Sequence, residues 1–322
     1  MSKWCIGIDL GGTFIKFGLL NEQLQPAEIF QLPTPTTGAA AVVAQMIAGA
    51  KTLMDRHKLA PADVVGVGIG SPGPIRISEG IVIALPNIPG MNNVPLRDEV
   101  ANGLGIQAVL ENDANAAAYG EFIAGAGKGS GDMVMLTLGT GVGSGIIIGG
   151  KLLHGRHEIG GEFGHIIVQP GGERCGCGQQ GCLERYASAT FMAQRAQRMI
   201  EIGGLQSSLK DVLAKTGTIT SRDINDARKA GDALAARVWD EACQYLAQAC
   251  VNICRIFDPD EIVLAGGLTQ AGEDLLTPLR AHYERMHWTL TKPMTPVVIA
   301  TLGSNAGAIG AAGVAWASFA KA

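Results

Sequence analysis

Runs of apolar residues separated by glycine-rich turns dominate the pattern of the chain. Residues 3–10 are predicted to form a buried strand, 11–13 a glycine turn, and 14–20 a second strand. The same order recurs at 133–148, where one strand enters the glycine-rich segment 139–145 and a second apolar run leaves it. Two such hairpins, each opening a stretch of strands followed by helices, predict a duplicated α/β unit.

The remaining pattern alternates short apolar runs with helical periodicity. It predicts, in order, a helix at 39–58, strands at 64–69 and 107–110, an alanine-rich helix ending at 124, mostly helix over 186–255, a strand at 261–265 and a last helix from about 306 to 319. A chain of 322 residues exceeds the ~250–300 at which one core usually divides. We therefore predict a small α/β domain, 1–112, joined by the C-terminal helix 306–322, and a large α/β domain, 113–305.

Composition narrows the possible functions. A hydrophobic fraction of 47% supports two cores, whereas the net charge of −4 and the lack of a dense Lys/Arg block argue against a nucleic-acid partner. We find no basic leader and no sustained apolar stretch of about 18 residues, so we expect no membrane partner and a cytoplasmic location. Seven cysteines, an odd number in a large chain, fit reduced thiols better than a disulfide framework.

The first glycine turn carries polar groups suited to a phosphate and its magnesium ion. Asp9 precedes Gly11 and Gly12, Thr13 follows them, and Lys16 lies close by. Backbone N–H groups at such a turn can face phosphate while a carboxylate faces Mg²⁺. An ordinary hairpin turn is the alternative, and the second glycine turn makes that alternative weaker.

The second turn contains Gly139, Thr140, Gly141 and Gly143, and we predict that it is a second phosphate clamp. Neither turn ends in the Gly-Lys-Ser/Thr of a P-loop, and no acidic residue follows at the spacing of a dinucleotide-binding motif. The pair Gly266-Gly267, after a predicted strand, is compatible with a purine contact or with a plain strand end.

Asp113 stands where a predicted strand ends and a helix begins. Taken alone, this position indicates a helix N-cap, a role that Asp often fills. The helix N-terminus is also expected to keep the carboxylate ionised, as a general base in phosphoryl transfer requires. Both roles remain open from the residues alone.

A cluster of cysteines follows a histidine and predicts a zinc site. His165, Cys175, Cys177 and Cys182 provide a Cys₃His set for tetrahedral zinc in the loop 165–184; free thiols are the alternative. A pinned loop would bring Glu162, His165 and Glu184 together for recognition of sugar-like hydroxyl groups, although a purely structural zinc is also compatible. We expect the remaining cysteines to lie in the core; they are Cys5, Cys243, Cys250 and Cys254.

These residues together resemble the ROK family of sugar kinases and repressors along essentially the whole chain, most closely its bacterial glucokinases. The matching segments are 9–13, 86–90, 111–115, 138–143, 162–165 and 175–184. One departure is Phe14, which stands where many members have lysine directly after Gly-Gly-Thr, with Lys16 two residues later. The contact of Lys16 with phosphate therefore stays open.

The resemblance implies an actin-like, hexokinase-like fold, a duplicated ribonuclease H-like α/β ATPase of two domains that closes on sugar. It implies that Mg-ATP phosphorylates the C6 hydroxyl of a hexose, above all glucose, with Asp113 as base and a structural zinc ion, in a homodimer or homotetramer. The implied sugar ligands are Asn87, Asn112, Asp113, Glu162, His165 and Glu184. The implied ATP ligands lie in the two glycine turns and at Gly266-Gly267, and the implied zinc ligands are His165 and the three clustered cysteines.

Two alternatives follow from the same resemblance. The first is a kinase for another hexose or for an N-acetylhexosamine, because such sugars differ by single substituents. The second is a sugar-responsive transcriptional regulator. We expect no DNA-binding helix-turn-helix, since the phosphate hairpin begins by residue 4.

Overall fold

The computed structural model describes residues 3–287 and 294–320. Two compact units are interleaved along the chain: unit 1 comprises Met1–Ser130, Gly145–Gly160 and Ala300–Ala322, and unit 2 comprises Gly131–Ser144 and Gly161–Ile299. No boundary between the two units falls at residue 113, because the helix that begins at Asp113 lies within unit 1. The assignment of functional domains to 1–112 and 113–305 stays a prediction.

The regular elements alternate between short strands and helices, as the pattern predicted. The strands are β1 (Trp4–Leu10), β2 (Phe14–Asn21), β3 (Pro26–Pro33), β4 (Val64–Ser71), β5 (Ile75–Arg76), β6 (Ile81–Ala84), β7 (Asn92–Val94), β8 (Ala108–Asn112), β9 (Met133–Leu138), β10 (Val142–Ile148), β11 (Lys151–Leu152), β12 (Glu261–Ala265) and β13 (Val297–Ile299). The helices are α1 (Ala39–Arg56), α2 (Leu96–Leu104), α3 (Asp113–Ala124), α4 (Glu184–Ala187), α5 (Ala189–Glu201), α6 (Leu209–Thr216), α7 (Ser221–Lys229), α8 (Ala233–Phe257), α9 (Glu273–Met286) and α10 (Ala306–Phe319).

The two large sheets repeat one strand order. The first is β3-β2-β1-β4-β8 and the second is β11-β10-β9-β12-β13. In the first sheet β1 pairs antiparallel with β2 and parallel with β4, which pairs parallel with β8. In the second, β12 pairs parallel with both β9 and β13. This repetition confirms the duplicated α/β unit predicted from the two glycine hairpins.

The helix α10 packs against the first sheet through small residues. Its residues Ala306 to Ala315 are all buried. Gly7 of β1 and Gly68 of β4 leave no room for a side chain, because a Cβ on either would meet the backbone of α10 at Ala308 or Ala311. Small residues on both surfaces let the helix backbone approach the strands closely, which explains why this helix is rich in alanine and glycine.

Buried apolar side chains define the core of each unit. In α1 the buried positions Val42, Met46 and Leu53 recur at helical spacing and face the first sheet. In α8 the helix begins after Asp232, whose side chain accepts a hydrogen bond from the backbone N–H of Ala235. Cys5, Cys243, Cys250 and Cys254 are buried, which confirms their predicted core positions.

Several features differ from the pattern-based predictions. The strands β3, β5 to β7, β11 and β13 and the helices α2 and α9 were not predicted. The second glycine segment is a turn only at 139–141, because β10 already begins at Val142 and includes Gly143. The C-terminal helix ends at Phe319, and residues 321 and 322 of its predicted range lie outside the described residues. Within the described ranges, no helix has both the length and the apolar character needed to cross a bilayer.

Candidate active site

The first glycine turn joins β1 to β2 through three residues. The backbone N–H of Gly11 donates to the carbonyl of Phe14 at 3.0 Å, and a Cβ at position 11 would crowd that carbonyl at 2.7 Å. Gly12 and Thr13 are exposed, and a Cβ on Gly12 would meet nothing within 4 Å. Gly11 is therefore required by the turn, whereas the open space at Gly12 suits the close approach of a ligand.

Asp9 lies beside Lys16, its cross-strand partner in the β1–β2 register. Burial raises the pKa of Asp9 to about 6, while Lys16 lowers it and Asp113 raises it further. The carboxylate also fills the space next to Gly307, where a Cβ would lie 2.6 Å from it. Asp9 and Asp113 are thus near enough to influence each other in unit 1.

The ammonium group of Lys16 is already engaged within unit 1. Its Nζ donates to the backbone carbonyl of Ser304 at 2.5 Å, in the turn that precedes α10. This contact ties β2 to the start of α10. Whether Lys16 also meets phosphate stays a prediction.

Asp113 is the first residue of α3, but it is not the cap of that helix. The cap is Asn112, whose side-chain oxygen accepts from the backbone N–H groups of Ala114, at 2.9 Å, and Asn115, at 3.2 Å. One oxygen of Asp113 accepts from Ala114 at 2.8 Å. The reading of Asp113 as N-cap is therefore wrong, and its carboxylate keeps acceptor capacity for a substrate hydroxyl.

Burial decides the proton affinity of Asp113. It raises the pKa of the carboxyl group above its ordinary value, and the backbone N–H of Ala114 opposes this only in part. That the helix N-terminus keeps the carboxylate ionised stays a prediction; its backbone N–H groups lower the pKa, against the larger effect of burial. A carboxylate with a raised pKa is a stronger base, which favours proton acceptance near neutral pH.

The second glycine turn sits against a glutamate of unit 2. The Oε2 atom of Glu184, at the start of α4, accepts from the backbone N–H of Val142 at 3.1 Å. A Cβ on Gly141 would collide with this carboxylate, whereas Gly139 and Thr140 are open or exposed. Glu184 therefore helps to shape the turn in addition to its predicted role toward sugar.

A cavity of about 760 Å³ opens beside this turn in unit 2. It brings together the predicted Gly139, Thr140 and Gly267 with residues that the sequence analysis did not single out. The additional lining residues are Ala189, Thr220, Ser221, Arg222, Asn225, Asp226, Lys229, Trp239, Leu268, Gln270, Ala271 and Asp274. The volume lies in the range of small-molecule pockets, and the lining offers both cations and hydrogen-bonding groups.

Gly266 and Gly267 follow β12 with different structural demands. Gly266 adopts φ 91°, and a Cβ there would collide with the backbone of Leu138. Gly267 has no atom near its Cβ direction and lines the cavity. The first glycine is thus explained by the fold, and the second is free to face a ligand.

The four predicted metal ligands converge. The donor atoms of His165, Cys175, Cys177 and Cys182 lie within 4.8 Å of one another. Cys175 Sγ is 3.6 Å from His165 Nδ1, and Cys177 Sγ is 3.6 Å from Cys182 Sγ. Two sulfurs on one tetrahedral zinc ion are expected at about 3.8 Å, so this donor set fits zinc.

The predicted sugar-binding residues divide between the units. Asn87, which is exposed in the turn between β6 and β7, belongs to unit 1 with Asn112 and Asp113. In unit 2, Glu162 is exposed, and its backbone carbonyl accepts a hydrogen bond from the backbone N–H of His165 at 2.9 Å. Glu184 Oε1 lies 3.9 Å from Cys175 Sγ. The structure thus brings Glu162, His165 and Glu184 to one loop region beside the metal ligands.

Comparison with known proteins extends the match to the whole chain. A model of the ROK family matches residues 5–318. A glucokinase from Halalkalibacterium halodurans is 38% identical over 311 residues, which cover 96% of this chain and 93% of the relative.

Two solved structures of the same family resemble the fold closely. A ROK hexokinase from Thermus thermophilus is 31% identical with a TM-score of 0.83 and covers 99% of both chains. A ROK family glucokinase from Streptomyces griseus, in complex with glucose and AMPPNP, is 36% identical with a TM-score of 0.75, covering 97% of this chain and 98% of that one. The likeness confirms the predicted hexokinase-like α/β fold.

Proposed function

The chain belongs to the ROK family, and on that premise we propose that it transfers the γ-phosphoryl group of ATP to the C6 hydroxyl of glucose, forming glucose 6-phosphate. One observation carries the proposal: Asp113 has a partly buried carboxylate that keeps acceptor capacity beyond its bond from Ala114 and lies close to Asp9, just before the first glycine turn. The full-length similarity to a glucokinase crystallised with glucose and an ATP analogue supports it.

Asp113 is proposed as the general base. The O6–H proton of the sugar passes to its carboxylate, O6 bonds to the γ-phosphorus, and the bond from that phosphorus to the bridging oxygen of ADP breaks. Because the carboxylate has a raised pKa, it accepts the proton more readily than an exposed aspartate would.

Six polar side chains are proposed to contact the sugar: Asn87, Asn112, Asp113, Glu162, His165 and Glu184. Carboxylates and amides accept and donate hydrogen bonds to several hydroxyls at once, and a site built this way discriminates strongly against sugars that lack one hydroxyl.

ATP is proposed to use both glycine turns and the cavity of unit 2. The N–H groups of Gly11 and Gly139 are bonded to the carbonyls of Phe14 and Gly141, so the remaining N–H groups of the two turns are the ones proposed to face phosphate oxygens. Asp9 is proposed to face the magnesium ion, and Gly266-Gly267 to border the nucleoside. The cavity beside Gly139 and Gly267, with Arg222 and Lys229 among its lining residues, has the size for an adenosine moiety.

Zinc is proposed as a structural ion held by His165, Cys175, Cys177 and Cys182. When bound, it cross-links the loop 165–184, which has little regular structure of its own. If Nδ1 of His165 is the ligand, Nε2 remains as an N–H donor toward a hydroxyl group.

The wider assignment follows the family. We propose a homodimer or homotetramer in the cytoplasm, without a nucleic-acid or membrane partner. One alternative changes only the acceptor: a kinase for another hexose or an N-acetylhexosamine. The other alternative changes the functional class: a sugar-responsive transcriptional regulator.

An ADP-release assay with a panel of sugars tests the proposal. Glucose is expected to give the highest kcat/KM, with fructose, mannose, allose and N-acetylated hexosamines lower. A higher value for an N-acetylated sugar would reassign the acceptor. If no sugar is phosphorylated and the protein binds promoter DNA in a gel shift, the kinase assignment fails in favour of the regulator.

A further inference from the structure

A histidine and a buried glutamate form an ion pair directly next to the turn that carries Asp113. Glu111, in β8, is 1% exposed, and His154 Nε2 lies 2.7 Å from its Oε2 atom. Its other oxygen, Oε1, accepts from the backbone N–H of Asn112 and from Asn115 Nδ2, both at 2.9 Å. Glu111 therefore links His154 to Asn112, directly before Asp113, and to Asn115, two residues after it.

The electrostatic surroundings favour the charged form of His154. A buried carboxylate is costly without a partner, and the imidazolium supplies one. Hydrogen bonding to Glu111 raises the pKa of His154 above its ordinary value; burial opposes this, and Glu158 adds to the rise. Lys151 and Tyr119 line the same cavity as the pair, so a lysine also faces this region.

The loop that carries His154 is anchored at a second point. The carboxylate of Glu158 accepts from the backbone N–H groups of Ile77, at 2.7 Å, and Ser78, at 3.0 Å. The N–H of Gly160 donates to the carbonyl of His154 at 2.9 Å, which closes the loop on itself. These contacts hold the loop in place, so the imidazole of His154 meets Glu111 from a fixed position.

We propose that His154 is a positioning residue for the reaction: through Glu111 it fixes the Asn112–Asp113 turn, so that the Asp113 carboxylate meets the acceptor hydroxyl in one orientation. This inference rests on the proposed function, in which Asp113 is the base. The contacts run through the backbone of Asn112 and the side chain of Asn115, and both flank the base. A misplacement of about 1 Å at such a group can cost about a hundredfold in rate.

Two substitutions at His154 separate positioning from mere folding. His154→Ala removes the partner of Glu111 and is expected to lower kcat about tenfold to a hundredfold, with little change in KM for ATP. His154→Gln retains an N–H donor for Glu111 and is expected to recover most of kcat. Equal losses in both variants, or full kcat in His154→Ala, would overturn the inference.

A second histidine–glutamate pair provides the matched control. His57 Nε2 lies 2.9 Å from Glu28 Oε2, and both side chains are about a quarter exposed. His57→Ala, the same substitution as His154→Ala, is expected to leave kcat and KM unchanged, because neither His57 nor Glu28 contacts the Asn112–Asp113 turn. A loss of kcat in this variant equal to that of His154→Ala would reduce the effect to general destabilisation and contradict the inference.

The pKa of the His154 imidazole tests the Glu111–His154 contact in a measurement that does not depend on catalytic activity. Its NMR titration is expected above the ordinary histidine range in the wild type and at lower pH in Glu111→Gln. An ordinary titration in the wild type, or an active wild type whose His154→Ala variant keeps full kcat, defeats this inference alone. A wild type that phosphorylates no sugar defeats the proposed function instead.

Discussion

At the scale of single residues, Asn112 and Asp113 have different roles: Asn112 caps the helix, and Asp113 keeps a carboxylate that can accept a further hydrogen bond. The sequence alone indicates a cap at Asp113, whereas the structure gives this role to Asn112. Asp113 then keeps a carboxylate whose pKa is raised by burial. The sequence indicates the position of the proposed base, whereas the pKa of its carboxyl group depends on the packing around it.

Removal of the carboxylate is the direct test of the base. Asp113→Asn preserves size and most hydrogen bonding, so we expect sugar affinity to remain while kcat falls about 10²–10⁴-fold. Sugar binding by calorimetry and turnover by ADP release measure the two effects. Retained turnover would remove Asp113 from the catalytic role.

The raised pKa of Asp113 also predicts a pH dependence. A base must be deprotonated to accept a proton, so activity is expected to fall as pH drops through the raised pKa, above the ~3.9 of an ordinary aspartate. The acidic limb of the kcat/KM profile for sugar measures this titration together with that of Asp9, whose pKa is raised to about 6. A profile that stays flat down to the ordinary aspartate range would contradict the effect of burial.

At the scale of elements, glycines serve two different purposes. Gly7 lies in β1 against the backbone of α10, whereas Gly12 borders open space in the first glycine turn. The first glycine allows two elements to approach, and the second leaves room for a ligand. The sequence pattern places Gly7 inside a strand and Gly12 in a turn, but it does not show what lies next to either glycine.

A pair of alanine substitutions distinguishes these purposes. Gly7→Ala forces a methyl group into the α10 backbone and is expected to lower the free energy of unfolding by about 1–3 kcal/mol. Gly12→Ala is expected to change it by less than about 0.5 kcal/mol but to raise the KM for ATP. Denaturant unfolding and ATP kinetics measure both variants, and a reversal of the two patterns would refute the assignment.

The cysteine loop is the second element with a testable requirement. We expect about one zinc ion per chain, and we expect chelation to increase amide exchange over 165–184, because the metal closes that loop. Cys177→Ser should lose zinc, whereas Cys5→Ala, in the core of unit 1, should keep it. Less than half an equivalent of zinc in a fully active protein would rule out the site.

At the scale of the whole molecule, the repeated strand order is the main organising feature. In each large sheet, three consecutive strands lie side by side, and two further strands continue the sheet beside the first of the three. A glycine turn follows that first strand, which is β1 in one sheet and β9 in the other. The same supersecondary unit thus provides one glycine turn in unit 1 and one in unit 2, and both are proposed to contact phosphate. Duplication of the unit explains why the chain contains two such turns.

The assembly state is a property of the whole chain and has a simple test. We expect a solution mass of two or four times 33.4 kDa by light scattering coupled to size exclusion. This expectation rests on the resemblance to the family, because the structure of a single chain contains no contact between subunits. A mass of one chain across the concentration range would contradict it.

By itself, the sequence determined the features that depend on residues close together in the chain. The two glycine hairpins, the strand–helix junction at Asp113 and the Cys₃His set were all predictable, because turn chemistry and ligand spacing are local. Tertiary structure alone decided the pair Glu111–His154 and the cavity that joins Gly139 to Arg222 and Gly267. Those residues are far apart in sequence, so only the packing of whole elements brings their side chains within contact distance and sets how far each group is buried.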